Sequence, residues 1–357
     1  NFSEASSQIE AALKLEPEDI DTLRHATLLE QFPISKDLFK RMLRIWYESQ
    51  IPEKERAKLG FAIYKAGKKF VSAEESLEFL HQANTLRKKE LEYDWKREAS
   101  LFSELQSWSD CWLGCSVGEP VDAPRPIFIV GMPRSGTTLV EHIISGHSSV
   151  KACGEVPYAG QICRHILISA KPSVEMAQRI RTHYLNHVRK HYHPLKKSFT
   201  DKLPINFRWI PALAAAFPSA KFIHVHRNPA ATCWSIYQTY FTEQKMGWCY
   251  SLDDINKYYR CYHALMTAYD ESLDIQLHHL SYETLTDDQQ NETLRLAKFL
   301  DISCERGMLF PHENERQVLT ASSQQVRRPV YQNSSDSWRQ YEPYVGKLLN
   351  DLLPLSF

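Results

Sequence analysis

Arg134, Ser135, Gly136, Thr137 and Thr138 stand directly behind a run of strand formers, Ile127-Phe128-Ile129-Val130, and ahead of Leu139, Val140, Ile143 and Ile144, which recur at helical spacing. Gly131 and Gly136 bracket the loop between them. A strand that turns through such a loop into a helix leaves the first N–H groups of that helix without partners. The helix dipole adds partial positive charge, so the unit favours an anion, a phosphate-like group above all. A nucleoside triphosphatase would carry lysine at position 137, reaching the terminal phosphates, with the next hydroxyl on magnesium. Here the residue is Thr137, and the positive charge sits three places earlier at Arg134, whose planar fork can hold two oxyanion oxygens at once. That departure argues against ATP or GTP hydrolysis. It leaves a phosphate-bearing ligand of another kind.

The elements that must position this loop can be read from the rest of the chain. Its 357 residues are enough for two ordinary domains. Residues 1–117 read as helical throughout, and 118–357 as an α/β domain: Gly118 to Pro126, with three prolines, has the composition of a linker. In the helical part, Ala-Leu-Lys-Leu-Glu-Pro at 12–17 resembles the end of a tetratricopeptide repeat (TPR). An approximate echo follows at Leu59-Gly60, Tyr64, Gly67, Ser76 and Ala83. Such helix pairs either dock a peptide or protein on a concave side or merely cap the neighbouring domain, and both readings stand.

Lys plus Arg and Asp plus Glu are 43 each, so no overall basic field favours nucleic acid, and an anion site has to be local. No apolar run approaches the roughly 20 residues of a membrane helix, so no membrane partner is expected and a cytoplasmic location is. The chain starts at Asn1 rather than Met, so the lack of a signal peptide excludes little. The eight cysteines show no Cys-x-x-Cys pair and read as reduced thiols. His183, His187 and His191 share one helix face, but Arg179, Arg181, Arg189 and Lys190 among them make an exposed basic face the expected reading over a metal site.

Pro-Arg-Ser-Gly-Thr-Thr, residues 133–138, resembles the phosphosulfate-binding loop of sulfotransferases that use 3′-phosphoadenosine 5′-phosphosulfate (PAPS). The likeness is greatest to the tyrosylprotein sulfotransferases and to bacterial sulfotransferases fused to tetratricopeptide repeats. Three further stretches share it: Asp201-Lys202-Leu203-Pro204; Arg227 followed eight residues on by Ser235; and Tyr282-Glu283-Thr284-Leu285. The resemblance implies a parallel sheet flanked by helices with a P-loop-like phosphosulfate-binding loop, the ligand lying across the carboxyl ends of adjacent strands. It implies that Arg134 and residues 135–138 hold the 5′ end, Arg227 and Ser235 the 3′-phosphate, and Tyr282 the adenine. Lys202 would steady the leaving phosphate. Glu155, in Gly154-Glu155 some 21 residues beyond Arg134, would be the general base. Residues 320–330 look like the late loop over the cofactor, with Ser322, Arg327 and Arg328 as its contacts; Ser337 stands before Trp338 where the tyrosylprotein enzymes carry lysine.

The expected activity is therefore transfer of a sulfuryl group from PAPS, without a metal, to a hydroxyl-bearing acceptor. Peptide or protein tyrosine docked on the helical domain comes first, and a small-molecule alcohol, phenol or carbohydrate is the alternative. A homodimer belongs to the same expectation. A catalytically silent nucleotide-binding scaffold would bind without turnover, and a nucleotide kinase would require ATP with magnesium.

Overall fold

Short runs carrying isoleucine, valine, phenylalanine or leucine build a sheet that is covered on both faces. In the computed structural model, which describes residues 2–29, 31–118, 123–169, 171–314, 330, 334–355 and 357, these runs are β1 (Arg125–Gly131), β2 (Val150–Ala152), β3 (Ser198–Asp201), β4 (Lys221–His226) and β5 (Leu277–Ser281). They pair in the order β2-β3-β1-β4-β5, every pair parallel, with Ile127 opposite Thr200 on one side and Lys221 on the other. The parallel α/β fold with flanking helices is thus as the sequence indicated.

Ile127, Ile129, Ile223, Val225 and Leu280 point to one face of the sheet. There they pack on Val140, Ile143 and Ile144 of α7 (Thr137–Ile144) and on Leu285 and Leu296, from α13 (Tyr282–Asp287) and α14 (Gln289–Phe299). Phe128 points the other way, within ring contact of Phe222 at 5.2 Å, of Phe217 and of Tyr184 on α9 (Val174–His191). From β1 the chain passes out to β2, returns to β3 between β2 and β1, and only then crosses to β4 and β5 on the other flank of β1. The carboxyl end of β1 is therefore the switch point, where open α/β sheets bind ligands.

Two compact units divide the chain. Residues 96–232, 259–337 and 352–357 form the unit with the sheet, and residues 1–95, 233–258 and 338–351 form a helical one. In the helical unit α2 (Ile20–Leu28), α3 (Lys36–Glu48) and α5 (Ala73–Glu90) are each started by a side chain that accepts a backbone N–H, from Asp19, Ser35 and Ser72. Leu23, Met42, Ile45, Trp46, Leu59 and Phe79 form its core. α4 (Glu53–Gly67) meets α5 at Gly60, where a Cβ would lie 2.7 Å from that of Ala83. Only glycine permits that approach.

This division differs from the boundary at 117/118. α6 (Trp95–Ser109) belongs, past its first residue, with the sheet: Phe102 stacks on Phe207, Trp108 meets Trp112 and Trp209, and Glu98 pairs with Arg208. Residues 233–258 join the helical unit through their aromatics, with Tyr240 and Tyr250 edge-on to Phe61 and the Tyr237 hydroxyl 2.6 Å from His81. Composition marks where a chain bends, but these pairings join residues far apart in sequence.

The basic face expected on α9 loses one member. Arg181 is buried, its Nε donating to the Ala216 carbonyl and Nη1 to that of Gly118, both at 2.6 Å. His187 stacks on Tyr158 at 4.2 Å and meets His191 at a tilt, 4.5 Å between ring centroids. All eight cysteines are free thiols. Among the described residues no helix is long and apolar enough to cross a membrane.

Candidate active site

Each strand of the parallel sheet ends beside one residue singled out from the sequence. β1 runs into the loop at Gly131, Glu155 follows β2, Lys202 follows β3, Arg227 follows β4 and Tyr282 follows β5. Parallel strands put all their carboxyl ends on one edge, so five separate stretches reach the same side of the unit.

The loop depends on its glycines. Gly131 has φ 149°, and a Cβ there would lie 2.3 Å from the Val225 carbonyl oxygen across the β1–β4 pair. Gly136 has φ 106°, opens α7 without any side-chain cap, and lies so close to Tyr282 that a Cβ would come within 2.4 Å of the ring. Between them Arg134 takes the left-handed conformation, φ 68°. The Ser135 hydroxyl is buried and has no hydrogen-bond partner among the described residues. An uncapped helix start beside an orphaned hydroxyl is what an anion would satisfy.

Lys202 and Glu155 form an ion pair, Nζ to Oε1 2.5 Å, with Lys202 1% exposed and Glu155 40%. The Lys202 N–H also donates to the Gly154 carbonyl at 2.8 Å, which fixes the end of β3 against the segment after β2. Beneath the pair lies Asp201, wholly buried. It accepts from the Tyr184 hydroxyl at 2.7 Å, from Asn206 Nδ2 at 3.0 Å and from the Val156 N–H at 3.3 Å.

Burial pushes the Asp201 carboxyl up to about 7 from its ordinary 3.8, against the bonds from Tyr184 and Val156 that favour the ionised form. The folded chain therefore holds this proton more tightly than the unfolded one. The stabilisation is fully present below the ordinary value and is lost as pH rises through about 7. Asp201→Asn removes the ionisation, so the stability of the native chain relative to this variant should fall across that window and level off on either side. Urea unfolding of both proteins over the pH series measures it, and a pH-independent difference would contradict it.

Arg227 is engaged on several sides. Its Nη1 donates to the Arg134 carbonyl at 3.3 Å, its Nη2 to the Ser334 carbonyl at 2.7 Å and hydroxyl at 3.2 Å, and its Nε to the Ser335 hydroxyl at 3.0 Å. Its guanidinium lies 4.8 Å from the centroid of the Tyr282 ring. Tyr282 thus touches both the glycine loop after β1 and the arginine after β4, and its hydroxyl accepts from Ser334 at 3.1 Å. Glu283 accepts from the Asn228 N–H at 3.0 Å and from the Ser335 hydroxyl. Ser337 donates to the Ser334 carbonyl at 2.9 Å.

The structure therefore gathers Arg134, Ser135, Gly136, Arg227 and Tyr282 around one loop and pairs Glu155 with Lys202. Ser235 lies on α11 (Pro229–Tyr237) within the part counted with the helical unit, and Ser322, Arg327 and Arg328 lie outside the described residues. Sequence reasoning passed over Glu141, Asp201, Glu283, Ser334 and Ser335. Glu283 and Asp201 stood inside stretches already singled out, and the hydroxyl-rich run Ser334-Ser335-Asp336-Ser337 was a usable signal; Glu141 on α7 gave none. Among the described residues, no group of three or more His, Cys, Asp or Glu side chains is placed to hold a metal ion.

The parallel sheet, its switch point and the glycine loop define a P-loop-like α/β protein. The sulfotransferase family model matches residues 126–306, from β1 to the start of α15 (Arg306–Leu309), and the chain belongs to that family. It is 31% identical over 322 residues to an uncharacterized protein of Aquifex aeolicus, covering 85% of this chain and 42% of that protein. It is 26% identical over 255 residues to a protein-tyrosine sulfotransferase of Drosophila melanogaster, covering 64% of this chain and 48% of the relative. The chain spans less than half the length of either. The solved sulfotransferase domain of the Synechococcus PCC 7002 olefin synthase aligns with a TM-score of 0.47 at 19% identity, over 66% of this chain and 98% of that one.

Proposed function

We propose that the chain moves a sulfuryl group from PAPS to a hydroxyl acceptor, with peptide or protein tyrosine as the acceptor. The observation that carries this reading is the buried Lys202 paired with a half-exposed Glu155 on the strand-end edge where the phosphate loop opens. Family membership supports it, and so does the loop, which has Thr137 where a triphosphatase needs lysine. The tyrosine acceptor is supported by the Drosophila relative and by a helical unit whose α4 and α5 meet closely at Gly60 and Ala83, as helical repeats do.

The residues fit such a ligand. Arg134, the uncapped start of α7 and the orphaned Ser135 hydroxyl would take the 5′-phosphosulfate, with Thr137 and Thr138 in the first turn of the helix. Arg227 would take the 3′-phosphate; Ser235, Ser322, Arg327 and Arg328 join it on the resemblance alone. Tyr282, in contact with both Gly136 and Arg227, offers its ring to the base or sugar. PAPS supplies the sulfuryl group and a stable phosphate leaving group.

Glu155 then accepts the acceptor's hydroxyl proton as the new O–S bond forms. Lys202, now turned from Glu155, donates to the oxygen from which sulfur departs, and Arg134 and the loop N–H groups stabilise the charge that builds there. The ion pair keeps the base and the acid of this step within one hydrogen bond of each other.

Calorimetric binding of 3′-phosphoadenosine 5′-phosphate beside ATP-magnesium, with and without EDTA, tests the cofactor. Tight binding of the bisphosphate alone, indifferent to EDTA, is expected; preference for ATP-magnesium overturns the assignment. Arg227→Ala should weaken the bisphosphate about 10- to 100-fold, the worth of one charge-assisted contact. Unchanged affinity would place the 3′ site elsewhere. Sulfate transfer to tyrosine peptides, with phenols and sugars as competing acceptors, tests the acceptor class.

A further inference from the structure

Glu155 is flanked on both sides by backbone N–H groups that are held by buried carboxylates. On one side the Gly154 N–H donates to Glu141 Oε1 at 2.8 Å, and the same oxygen accepts the Thr200 hydroxyl at 2.7 Å. On the other the Val156 N–H donates to Asp201 Oδ1 at 3.3 Å. The Gly154 carbonyl between them accepts the Lys202 N–H at 2.8 Å, and Gly154 itself turns in the left-handed region, φ 70°. Three backbone groups around one half-exposed side chain are thereby fixed, although the side chain itself is not packed in place.

Glu141 is 2% exposed and Asp201 is wholly buried, and their charges repel, raising the Asp201 carboxyl further. Burying two carboxylates so close together is costly where amides could have accepted the same bonds. Both sit on elements that already carry the site: Glu141 lies one turn into α7, whose start is the phosphate loop, and Asp201 immediately precedes Lys202.

We infer that Glu141 and Asp201 are positioning residues that set the carboxylate of Glu155 against the phosphate loop and Lys202 by gripping the backbone on either side of it. The inference rests on the reading of Glu155 as the base. α7 then does two jobs at once, presenting the anion site at its first turn and fixing the base from its second. Neither Glu141 nor Asp201 needs to touch substrate, and displacement of a reacting group by about 1 Å is enough to cost on the order of 10²-fold in rate.

The test compares Glu141→Met with Glu141→Gln, each alone and combined with Glu155→Gln. Glu141→Met should lower kcat by about 10- to 100-fold while leaving the KM for PAPS and the affinity for the bisphosphate unchanged. Glu141→Gln, whose amide oxygen still accepts both bonds, should restore most of the rate. On the Glu155→Gln background Glu141→Met should add no further loss, because there is no base left to misplace. Native kcat in Glu141→Met, or a loss that simply adds to that of Glu155→Gln, overturns the inference.

If Glu155→Gln itself turns over normally, it is the base assignment that fails. Amide exchange then judges the clamp alone: the Gly154 and Val156 N–H groups should exchange as slowly as those of β1 in the native chain, and the Gly154 N–H rapidly in Glu141→Met. Should Glu141→Met not fold, the native measurement decides, and fast exchange at these two amides overturns the clamp.

Discussion

Glu155→Ala should lose about 10²- to 10⁴-fold in kcat, the usual contribution of general-base catalysis, while binding 3′-phosphoadenosine 5′-phosphate like the native chain. The carboxylate is 40% exposed, so truncation leaves no sealed cavity, and the backbone clamp through Gly154 and Val156 does not depend on the side chain. Lys202 keeps its backbone bond to Gly154. Binding and chemistry should therefore separate cleanly. Steady-state kinetics beside calorimetry of the bisphosphate reads both, and a variant with full turnover would remove Glu155 from the proton-transfer role.

Gly131→Ala should damage the sheet unit and its site together. The residue holds φ 149°, a conformation that costs an L side chain about 1–3 kcal/mol. Its Cβ would then meet the Val225 carbonyl at 2.3 Å, and relieving that overlap costs about another 1–3 kcal/mol. The obstacle is backbone, so no rotamer change can clear it; β1 and β4 have to part at their carboxyl ends. Arg227 reaches the Arg134 carbonyl at that point, so nucleotide affinity should fall along with stability. Urea denaturation and bisphosphate calorimetry of the variant check the pair of effects, and native values for both would show that the loop relaxes more easily than its geometry indicates.

What the sequence disclosed was whatever a short stretch encodes by itself. Ile127 to Val130 followed by Gly131, Arg134 and Gly136 specify strand, loop and helix locally, and Lys202 and Arg227 stood at the ends of equally local strand patterns. What stayed hidden depends on partners distant in the chain. Asp201 reaches Val156 across 45 residues, and Arg227 reaches Ser334 across 107, so neither spacing nor composition carries the information. Arg181 shows the same limit from the other side. In a basic run it reads as solvated, yet it is buried and its guanidinium donates to the carbonyls of Ala216 and Gly118. The division into units was obscured likewise, since Trp108 and Tyr240 are assigned by the rings they meet and not by their neighbours in sequence.

The order of the strands distributes the site unevenly. The loop after β1, Lys202 after β3 and Arg227 after β4 hang on strands bonded on both sides; Glu155 and Tyr282 follow β2 and β5, each bonded on one side only among the described residues. Groups that would meet the fixed, charged part of the donor are thus rooted in the middle of the sheet, and those that would meet the organic part and the acceptor hang from its margins. On the proposed reading, a lineage built on this plan would alter its acceptor at the borders of the sheet while the charged end of the donor stays held at the centre.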